Sequence, residues 1–242
     1  MEAAGVAGLA AADRGWPKGR ASAAVEFRYI AIDGPMGAGK TTLARKLAHW
    51  MGADLLLEAP MDNPFLARFY DNPSAWALST QLSFLLQRAR QMGELRQADL
   101  FRSACVADFM LEKDRLFAVM NLDSDELDLY EQVYARVIDD APSPDIVIYL
   151  QAPLPVLEQR IVERGVAFEQ GLDPDYLRRL SEAYRAFFAQ TSNLPFERVL
   201  AINTANADFV GREDHFARLV DCLPGLPRGF GYFDPSAPTQ RF

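Results

Sequence analysis

The chain has 242 residues, half of them apolar and 24% charged, which is enough for one α/β domain with a sizeable core. Its formal charge of −8 argues against a nucleic-acid polymer as the main partner, because phosphate backbones are held by clustered Lys and Arg. Two cysteines far apart in the chain do not form a disulfide framework. No apolar run reaches the roughly 18 residues that a membrane span needs, so we expect a cytoplasmic protein without a membrane partner.

The two ends of the chain differ in composition from the middle. Residues 1–26 are rich in Ala and Gly, and their apolar part precedes their basic part, the reverse of a secretory signal. We expect them to form a disordered extension or to reflect an over-long gene start, and a transit peptide is a weaker alternative. Residues 27–223 carry the periodic patterns of a single domain, and residues 224–242 form a tail in which we find no period.

Five short apolar runs predict strands, and helical patterns alternate with them. The strand runs are 27–33, 55–57, 104–108, 145–150 and 198–202. The helical patterns cover 41–51, 63–70, 74–98, 109–119, 123–140, 154–164, 174–191 and 209–222. This alternation predicts an α/β fold with a five-stranded parallel sheet flanked by helices. Asp33, Glu58 and Asp108 lie at strand ends, where such sheets bind their ligands.

A glycine-rich motif follows the first strand. Gly34-Pro-Met-Gly-Ala-Gly-Lys-Thr-Thr42 matches the pattern GxxxxGK[ST] between a predicted strand and helix, as a P-loop requires. In such a loop the lysine reaches the β- and γ-phosphates of ATP, and the Thr hydroxyl ligates Mg²⁺. We interpret Lys40 as a solvent-facing charge in the empty loop. The motif predicts a P-loop kinase fold with ATP held by Gly34, Gly37, Ala38, Gly39, Lys40, Thr41 and Thr42.

Longer segments resemble the deoxynucleoside kinase family, especially its bacterial deoxyadenosine/deoxyguanosine kinases. They are GPMGAGKTT, EAPMDNPFLARFY, WALSTQLSFLLQR, ADFMLEKDRLFA, PDIVIYLQAP and RIVERGVAFEQGLDPDYL, and the resemblance spans roughly residues 27–222. It implies ATP-dependent phosphorylation of the 5′-hydroxyl of a deoxynucleoside, for nucleotide salvage. It also implies a homodimer formed through helix packing.

The resemblance places Glu58 at the family's catalytic Glu-Pro motif, although Ala59 stands at the proline position. A carboxylate at a strand end beside the γ-phosphate can accept the proton of a sugar hydroxyl. The alternative is a solvated glutamate without a role. Asp108 aligns with the acidic residue of the family's Asp/Glu-Arg-Ser motif, and we assign it to Mg²⁺ together with Thr41.

Substrate-binding residues follow from the same resemblance. It implies that Tyr70 binds the sugar 3′-hydroxyl, that Trp76 shapes the pocket, and that Gln81 and Arg88 read the base. Asp114 matches the family's base-contacting Asp and is the ion-pair partner of Arg88. Where the family keeps this pair the base is usually a purine or cytosine rather than thymine, so we favour deoxyadenosine or deoxyguanosine and keep deoxycytidine as an alternative. The alternatives are plain core packing for Trp76 and a surface charge for Arg88.

Three residues belong to a predicted lid over the phosphates. Arg160 and Arg164 lie at i and i+4 on the helix that leads into it, and they match the family's phosphate-clamping arginines. Glu169 matches a second contact to the sugar 3′-hydroxyl. The alternative for the arginines is an exposed helix face.

The chain departs from the family directly after Asp108. An arginine normally follows there and holds the catalytic carboxylate and the 5′-oxygen, but this chain has Phe109 and Met110. Lys113 or Arg115 is a candidate to replace it, and the sequence does not decide between them. Two other functions therefore stay open: a thymidylate-type monophosphate kinase, and a non-catalytic nucleotide-binding scaffold. A monophosphate acceptor would need an extra arginine near Phe109, and this chain has none there. The intact Lys40, Thr41, Glu58 and Asp108 argue against a scaffold.

Overall fold

A computed structural model of the protein describes residues 27–98, 104–138, 141–166, 173–190 and 194–237. The predicted disordered extension over residues 1–26 lies outside this part of the chain. Within it, both cysteines are free thiols. None of the described helices has the length and apolar character that a membrane span requires.

The predicted α/β fold is confirmed: one parallel sheet lies between helices. Its strands are β1 Tyr29–Asp33, β2 Asp54–Leu56, β3 Cys105–Ala107, β4 Ile146–Gln151, β5 Arg198–Asn203 and β6 Gly229–Phe233. They are arranged in the order β2-β3-β1-β4-β5-β6, and each neighbouring pair is parallel. The central strand β1 is buried at all five positions. The carboxyl ends of β1, β2 and β3 therefore meet at one edge of the sheet.

The expected count of five strands is wrong by one, because β6 lies in the segment that we read as a tail. Its sequence Gly-Phe-Gly-Tyr-Phe contains two glycines and no β-branched residue, so it gives little strand signal. It pairs with β5 alone, and Tyr232 remains 66% exposed at this outer edge. An edge strand needs less apolar patterning than the strands at the centre of the sheet.

Eight α-helices are described. They are α1 Lys40–Met51, α2 Leu66–Asp71, α3 Pro73–Ala98, α4 Lys113–Asn121, α5 Ser124–Val137, α6 Leu154–Arg164, α7 Pro174–Ala189 and α8 Glu213–Cys222. Apolar side chains of α1, α6 and α8 cover one face of the sheet, and those of α3, α4 and α7 cover the other. A smaller cluster joins α3 to α5 through Leu85 and Tyr130.

Helices α4 and α8 each begin four residues later than the sequence predicts, for the same reason. The backbone N–H of Met110 donates to the carboxylate of Asp33 at 2.9 Å, which holds the segment after β3 out of a helix until Lys113. Before α8, the carboxylate of Asp208 accepts from the backbone N–H groups of Val210 and Gly211. In both places a carboxylate satisfies backbone donors locally and competes with helix formation.

Candidate active site

A phosphate-sized cradle is formed by the loop between β1 and α1. Gly34 and Gly37 have φ angles of 147° and 79°. A β-carbon on Gly34 would lie 2.1 Å from the carbonyl oxygen of Leu150, and one on Gly37 would lie 2.7 Å from that of Leu157. Only glycine lets the loop pass this close to β4 and α6 with these backbone angles. The loop then leads into the amino end of α1, where unpaired N–H groups attract anions.

Lys40 is placed differently from our expectation of a solvent-facing charge. It is half-buried, and its ammonium group donates to the carbonyl oxygens of Gly34 and Pro35 at 2.8 and 3.1 Å. Burial, followed by the nearby charge of Lys113, lowers the pKa of Lys40. The side chain is folded back over the cradle, so a bound phosphate would have to compete with these two carbonyl groups.

Two oxygen ligands suited to a divalent cation lie at the edge of the cradle. The Thr41 hydroxyl donates to Oδ2 of Asp108 at 2.5 Å, and Oδ1 of Asp108 accepts from the backbone N–H of Glu58 at 2.7 Å. Hard oxygen donors of this kind fit Mg²⁺, which usually takes few protein ligands and completes its shell with phosphate and water. Accordingly, no cluster of three or more His, Cys, Asp or Glu side chains suited to a metal occurs within the described ranges.

A cavity opens beside the cradle, and Lys40 and Thr41 belong to its wall. Tyr70, Gln81 and Arg164 also line it. Aromatic side chains from α2, α3, α4 and α7 form another part of the wall: Phe69, Phe84, Phe117, Tyr176 and Tyr184. A flat ring and a polar edge can therefore be bound in the same cavity.

Four charged side chains form one cluster at this cavity, which we call the charge cluster: Glu58, Arg88, Lys113 and Asp114. The first three line the cavity, whereas Asp114 does not line it and joins the cluster through Arg88. Arg88 donates to Oε1 of Glu58 at 2.5 Å and also to Oδ1 of Asp114. Lys113 donates to Oε2 of Glu58 at 2.7 Å. All but Glu58 have side chains that are 5% exposed or less, so these charges interact with little screening by water.

The cluster shifts the protonation of its two carboxyl groups in opposite directions. Burial alone would raise the pKa of Glu58, but Lys113 and Arg88 outweigh it and lower the pKa to about 2. For Asp114, burial outweighs Arg88 and Lys113 and raises the pKa to about 6. Glu58 is thus a fixed anion at neutral pH, whereas Asp114 titrates much closer to neutrality.

Several buried polar atoms around the cavity lack a hydrogen-bond partner among the described residues. They are Oγ1 of Thr80, Nε of Arg88 and Oδ2 of Asp114. An enclosed donor or acceptor without a partner costs free energy, so these positions favour a ligand that supplies complementary groups.

Not every residue that the sequence nominates lies on the cavity wall. Trp76 stacks on Phe65 with ring centroids 5.9 Å apart. The guanidinium of Arg68 lies over the Trp76 ring, 4.8 Å from its centroid. Glu169 falls outside the described residues.

Arg160 lies on the far side of the cradle. Its guanidinium donates to the carbonyl and hydroxyl oxygens of Thr204 at 2.8 and 2.9 Å, and to the carbonyl of Gly37 at 3.5 Å. It thus links the cradle to the loop after β5, while Arg164, one helical turn later, reaches the cavity wall.

The sequence left open whether Lys113 or Arg115 lies near Glu58, and the structure places Lys113 there, beside Arg88. Lys113 makes the contact, whereas Arg115 pairs with Glu131 at the surface with its side chain 62% exposed. Helical spacing could also have found Phe84, which lies three residues after Gln81 on the same face of α3. Tyr176 comes from α7, far along the chain, and no local signal marks it.

Comparisons with known proteins agree with this geometry. A family model described as deoxynucleoside kinase matches residues 30–224. The deoxyguanosine kinase of Bacillus subtilis (strain 168) is 35% identical over 79% of this chain and 94% of its own length. The deoxyadenosine kinase of Lactobacillus acidophilus is 30% identical over 76% of this chain and 89% of its own length.

A solved structure shares the fold. The deoxyadenosine kinase of M. mycoides with bound dCTP superposes with a TM-score of 0.68 at 22% identity. The match covers 82% of this chain and all of that one.

Proposed function

The chain belongs to the deoxynucleoside kinase family, and on that premise we propose that it transfers the γ-phosphoryl group of ATP to the 5′-hydroxyl of a purine deoxynucleoside. One observation carries the proposal: ionised Glu58 lies in the wall shared by the P-loop residues Lys40 and Thr41 and the aromatic cavity. An anion at this junction can meet a hydroxyl group on one side and a phosphoryl group on the other.

The transfer itself needs one bond to form and one to break. The 5′-oxygen of the nucleoside attacks the γ-phosphorus, and the bond from that phosphorus to the β–γ bridging oxygen breaks to release ADP. Glu58 accepts the hydroxyl hydrogen bond and then the proton. Because the transition state of such transfers is loose, orienting the hydroxyl contributes more than a high basicity of the carboxylate.

Positive charge around the transferred group comes from two sides. Lys40 leaves its carbonyl contacts to reach the β- and γ-phosphates, and Arg164 approaches from the lid helix at the cavity wall. Arg160 supports the donor side, since it holds the carbonyl of Gly37 in the cradle and the loop after β5. The backbone of Gly34, Gly37, Ala38 and Gly39, with Thr41 and Thr42 at the start of α1, completes the ATP site.

Thr41 and Asp108 would hold Mg²⁺, which when bound neutralises phosphate charge. The Thr41 hydroxyl donates to Asp108 at 2.5 Å, so the two oxygen ligands that would hold the cation are adjacent. The backbone N–H of Glu58 fixes the other oxygen of Asp108 and keeps the carboxylate facing Thr41.

The base site is the inner end of the cavity. Gln81 and Arg88 line it and offer an amide and a cation, and the carboxylate of Asp114 contacts Arg88 from outside the wall. The unpartnered Nε of Arg88 and Oδ2 of Asp114 fit a base that has both an acceptor and an amino group. Purines and cytosine present such a pair of groups, and the relatives are named for purine deoxynucleosides. We assign the sugar 3′-hydroxyl to Tyr70, helped by Glu169, and we assign Trp76 to the support of the pocket through Phe65.

Two properties of the whole protein complete the proposal. We expect a homodimer, which size-exclusion chromatography with light scattering would show at twice the mass of the 27.0 kDa chain. We also expect a reducing cytoplasmic setting, in keeping with the free thiols of Cys105 and Cys222.

A substrate panel tests the function. Purified protein is given ATP and Mg²⁺ with each of the common deoxynucleosides and, separately, with their 5′-monophosphates. We expect deoxyguanosine or deoxyadenosine to exceed thymidine in kcat/KM by about tenfold or more. The control Glu58→Gln keeps the shape of the side chain and should lower kcat by about 10²-fold or more.

Two outcomes would contradict the proposal. Phosphorylation of monophosphates in preference to nucleosides would indicate a thymidylate-type kinase. Binding of ATP without transfer to any acceptor would indicate a nucleotide-binding scaffold.

A further inference from the structure

The side chains of the two residues that follow Asp108 have no charge and no hydrogen-bond donor to offer Glu58. Phe109 and Met110 are completely buried, and the backbone N–H of Met110 is committed to Asp33. Their side chains belong to the core cluster below the sheet edge. The position that usually carries an arginine in the resembling family has here become part of the hydrophobic core.

Lys113 lies where a cation is then needed. It is the first residue of α4, its side chain is 4% exposed, and its ammonium group lies 2.7 Å from Oε2 of Glu58. The ring of Phe109 lies under it, with the ammonium 5.9 Å from the ring centroid. Phe109 therefore forms an apolar support that directs the lysine toward the carboxylate.

Arg88 does not make Lys113 redundant. Arg88 divides its guanidinium between Glu58 and Asp114, whereas the ammonium of Lys113 has Glu58 as its hydrogen-bond partner within the described ranges. The charge cluster of two anions and two cations is neutral overall. Without Lys113 it would carry one net negative charge beside a site that must receive the phosphates of ATP.

We propose that Lys113 is a positioning residue of the transfer reaction, which holds the Glu58 carboxylate toward the 5′-hydroxyl and keeps the charge cluster neutral. The inference rests on the proposed kinase function and adds a residue to it. Lys113 acts through Glu58 during the step: the hydroxyl proton passes to Glu58 as the new oxygen–phosphorus bond forms and ADP leaves. Lys113 itself exchanges no atom.

Three variants at this position separate charge from hydrogen bonding. Lys113→Met removes both, Lys113→Gln keeps a hydrogen-bond donor without charge, and Lys113→Arg keeps both. We expect Lys113→Met to lower kcat by about 10²-fold while the KM for the nucleoside changes by less than about threefold. Lys113→Gln should be intermediate, and Lys113→Arg should retain the most activity.

The matched control is Arg115→Met, which removes a cation two residues along the same helix. Arg115 is largely exposed and pairs with Glu131, so kcat should stay within about twofold of the unmodified protein. Thermal unfolding of each variant checks that it is folded. If Lys113→Met does not fold, the kcat values of Lys113→Gln and Lys113→Arg are compared instead, since they also differ in charge.

The results distinguish this inference from the proposed function. An active unmodified protein whose Lys113→Met variant keeps kcat within about twofold overturns the role of Lys113 alone. So does a Lys113→Arg variant that is no better than Lys113→Gln, because a positioning cation must be rescued by another cation. An unmodified protein that phosphorylates no deoxynucleoside overturns both.

Discussion

The phosphate cradle and the neighbouring cavity meet at Glu58, yet they are built in different ways. The cradle comes from one continuous stretch, residues 34–42, and its shape depends on backbone angles and close contacts with β4 and α6. The cavity takes side chains from α2, α3, α4 and α7, which lie far apart in the chain. Loss of the phosphate-binding lysine of the cradle should therefore nearly abolish catalysis, whereas substitutions in the cavity should change activity and selectivity by degrees.

The largest expected effect belongs to the cradle. Lys40→Ala removes the cation that must reach the phosphates, and we expect kcat to fall by about 10³-fold or more. The fold should persist, since among the described residues the hydrogen bonds of Lys40 go to the loop carbonyls of Gly34 and Pro35. Steady-state kinetics with circular dichroism measures both.

The exposed Arg45 on the same helix provides the control, and Arg45→Ala should leave kcat unchanged. Ordinary turnover in the Lys40→Ala variant would show that this loop does not bind the transferred phosphate.

Two glycines of the cradle allow a sharper comparison. Both have positive φ, but a β-carbon at Gly37 would meet the carbonyl oxygen of Leu157, whereas one at Gly39 would have nothing within 4 Å. Urea denaturation should therefore show that Gly37→Ala lowers the free energy of unfolding by about 3 kcal/mol and Gly39→Ala by about 1 kcal/mol. Equal losses would mean that backbone strain, rather than the close packing on α6, explains the glycines.

In the cavity we expect a change in selectivity of roughly tenfold. Arg88→Met combined with Asp114→Ala removes both charges of the pair, so neither charge is left buried alone. Total activity should fall, because Arg88 also holds Glu58, but the kcat/KM of thymidine relative to deoxyguanosine should rise.

The neighbouring Arg90 is exposed, and Arg90→Met should leave the substrate profile unchanged. A double variant whose profile also stays unchanged would place the Arg88–Asp114 pair outside the base site.

The smallest effect is expected behind the cavity, at Glu112. Burial, with smaller contributions from Asp33 and Asp114, raises the pKa of this carboxyl from 4.5 to about 7, and Tyr29 and Tyr134 face it as well. Between these two pH values the folded state binds more protons than the unfolded state, so stability falls as the pH rises.

Glu112→Gln removes this loss of stability. Compared with the unmodified protein, the variant should be more stable by about 1–2 kcal/mol near pH 8 and equally stable near pH 4. Thermal or urea unfolding across this range measures the difference. A variant with the same pH dependence as the unmodified chain would assign that dependence to another group.

The sequence predicted the cradle more completely than the cavity, for physical reasons. A P-loop is a local motif, so its glycines, its lysine and the following helix can be read from nine consecutive residues. The central strands could also be predicted, because they are short, apolar and buried on both faces. Strand β6 was missed because an edge strand with two glycines lacks that pattern.

The cavity could be predicted only in part. Resemblance nominated Tyr70, Gln81 and Arg164, and all three line it, but Tyr176 enters from a distant helix that no spacing connects to the site. The choice between Lys113 and Arg115 depended on where α4 begins, since the helix start decides which side chain faces inward. The hydrogen bond from Met110 to Asp33 sets that start, and it joins residues far apart in the chain.

The position of β1 in the sheet has a consequence for the protein while it is being made. Its partners are β3 on one side and β4 on the other, and β4 ends only at Gln151. At a synthesis rate of about 5–20 residues per second, roughly 6–24 seconds pass between the synthesis of β1 and that of β4, its second partner. During that interval an apolar strand, Tyr29–Asp33, has an unpaired edge, and strands of this kind bind chaperones or aggregate.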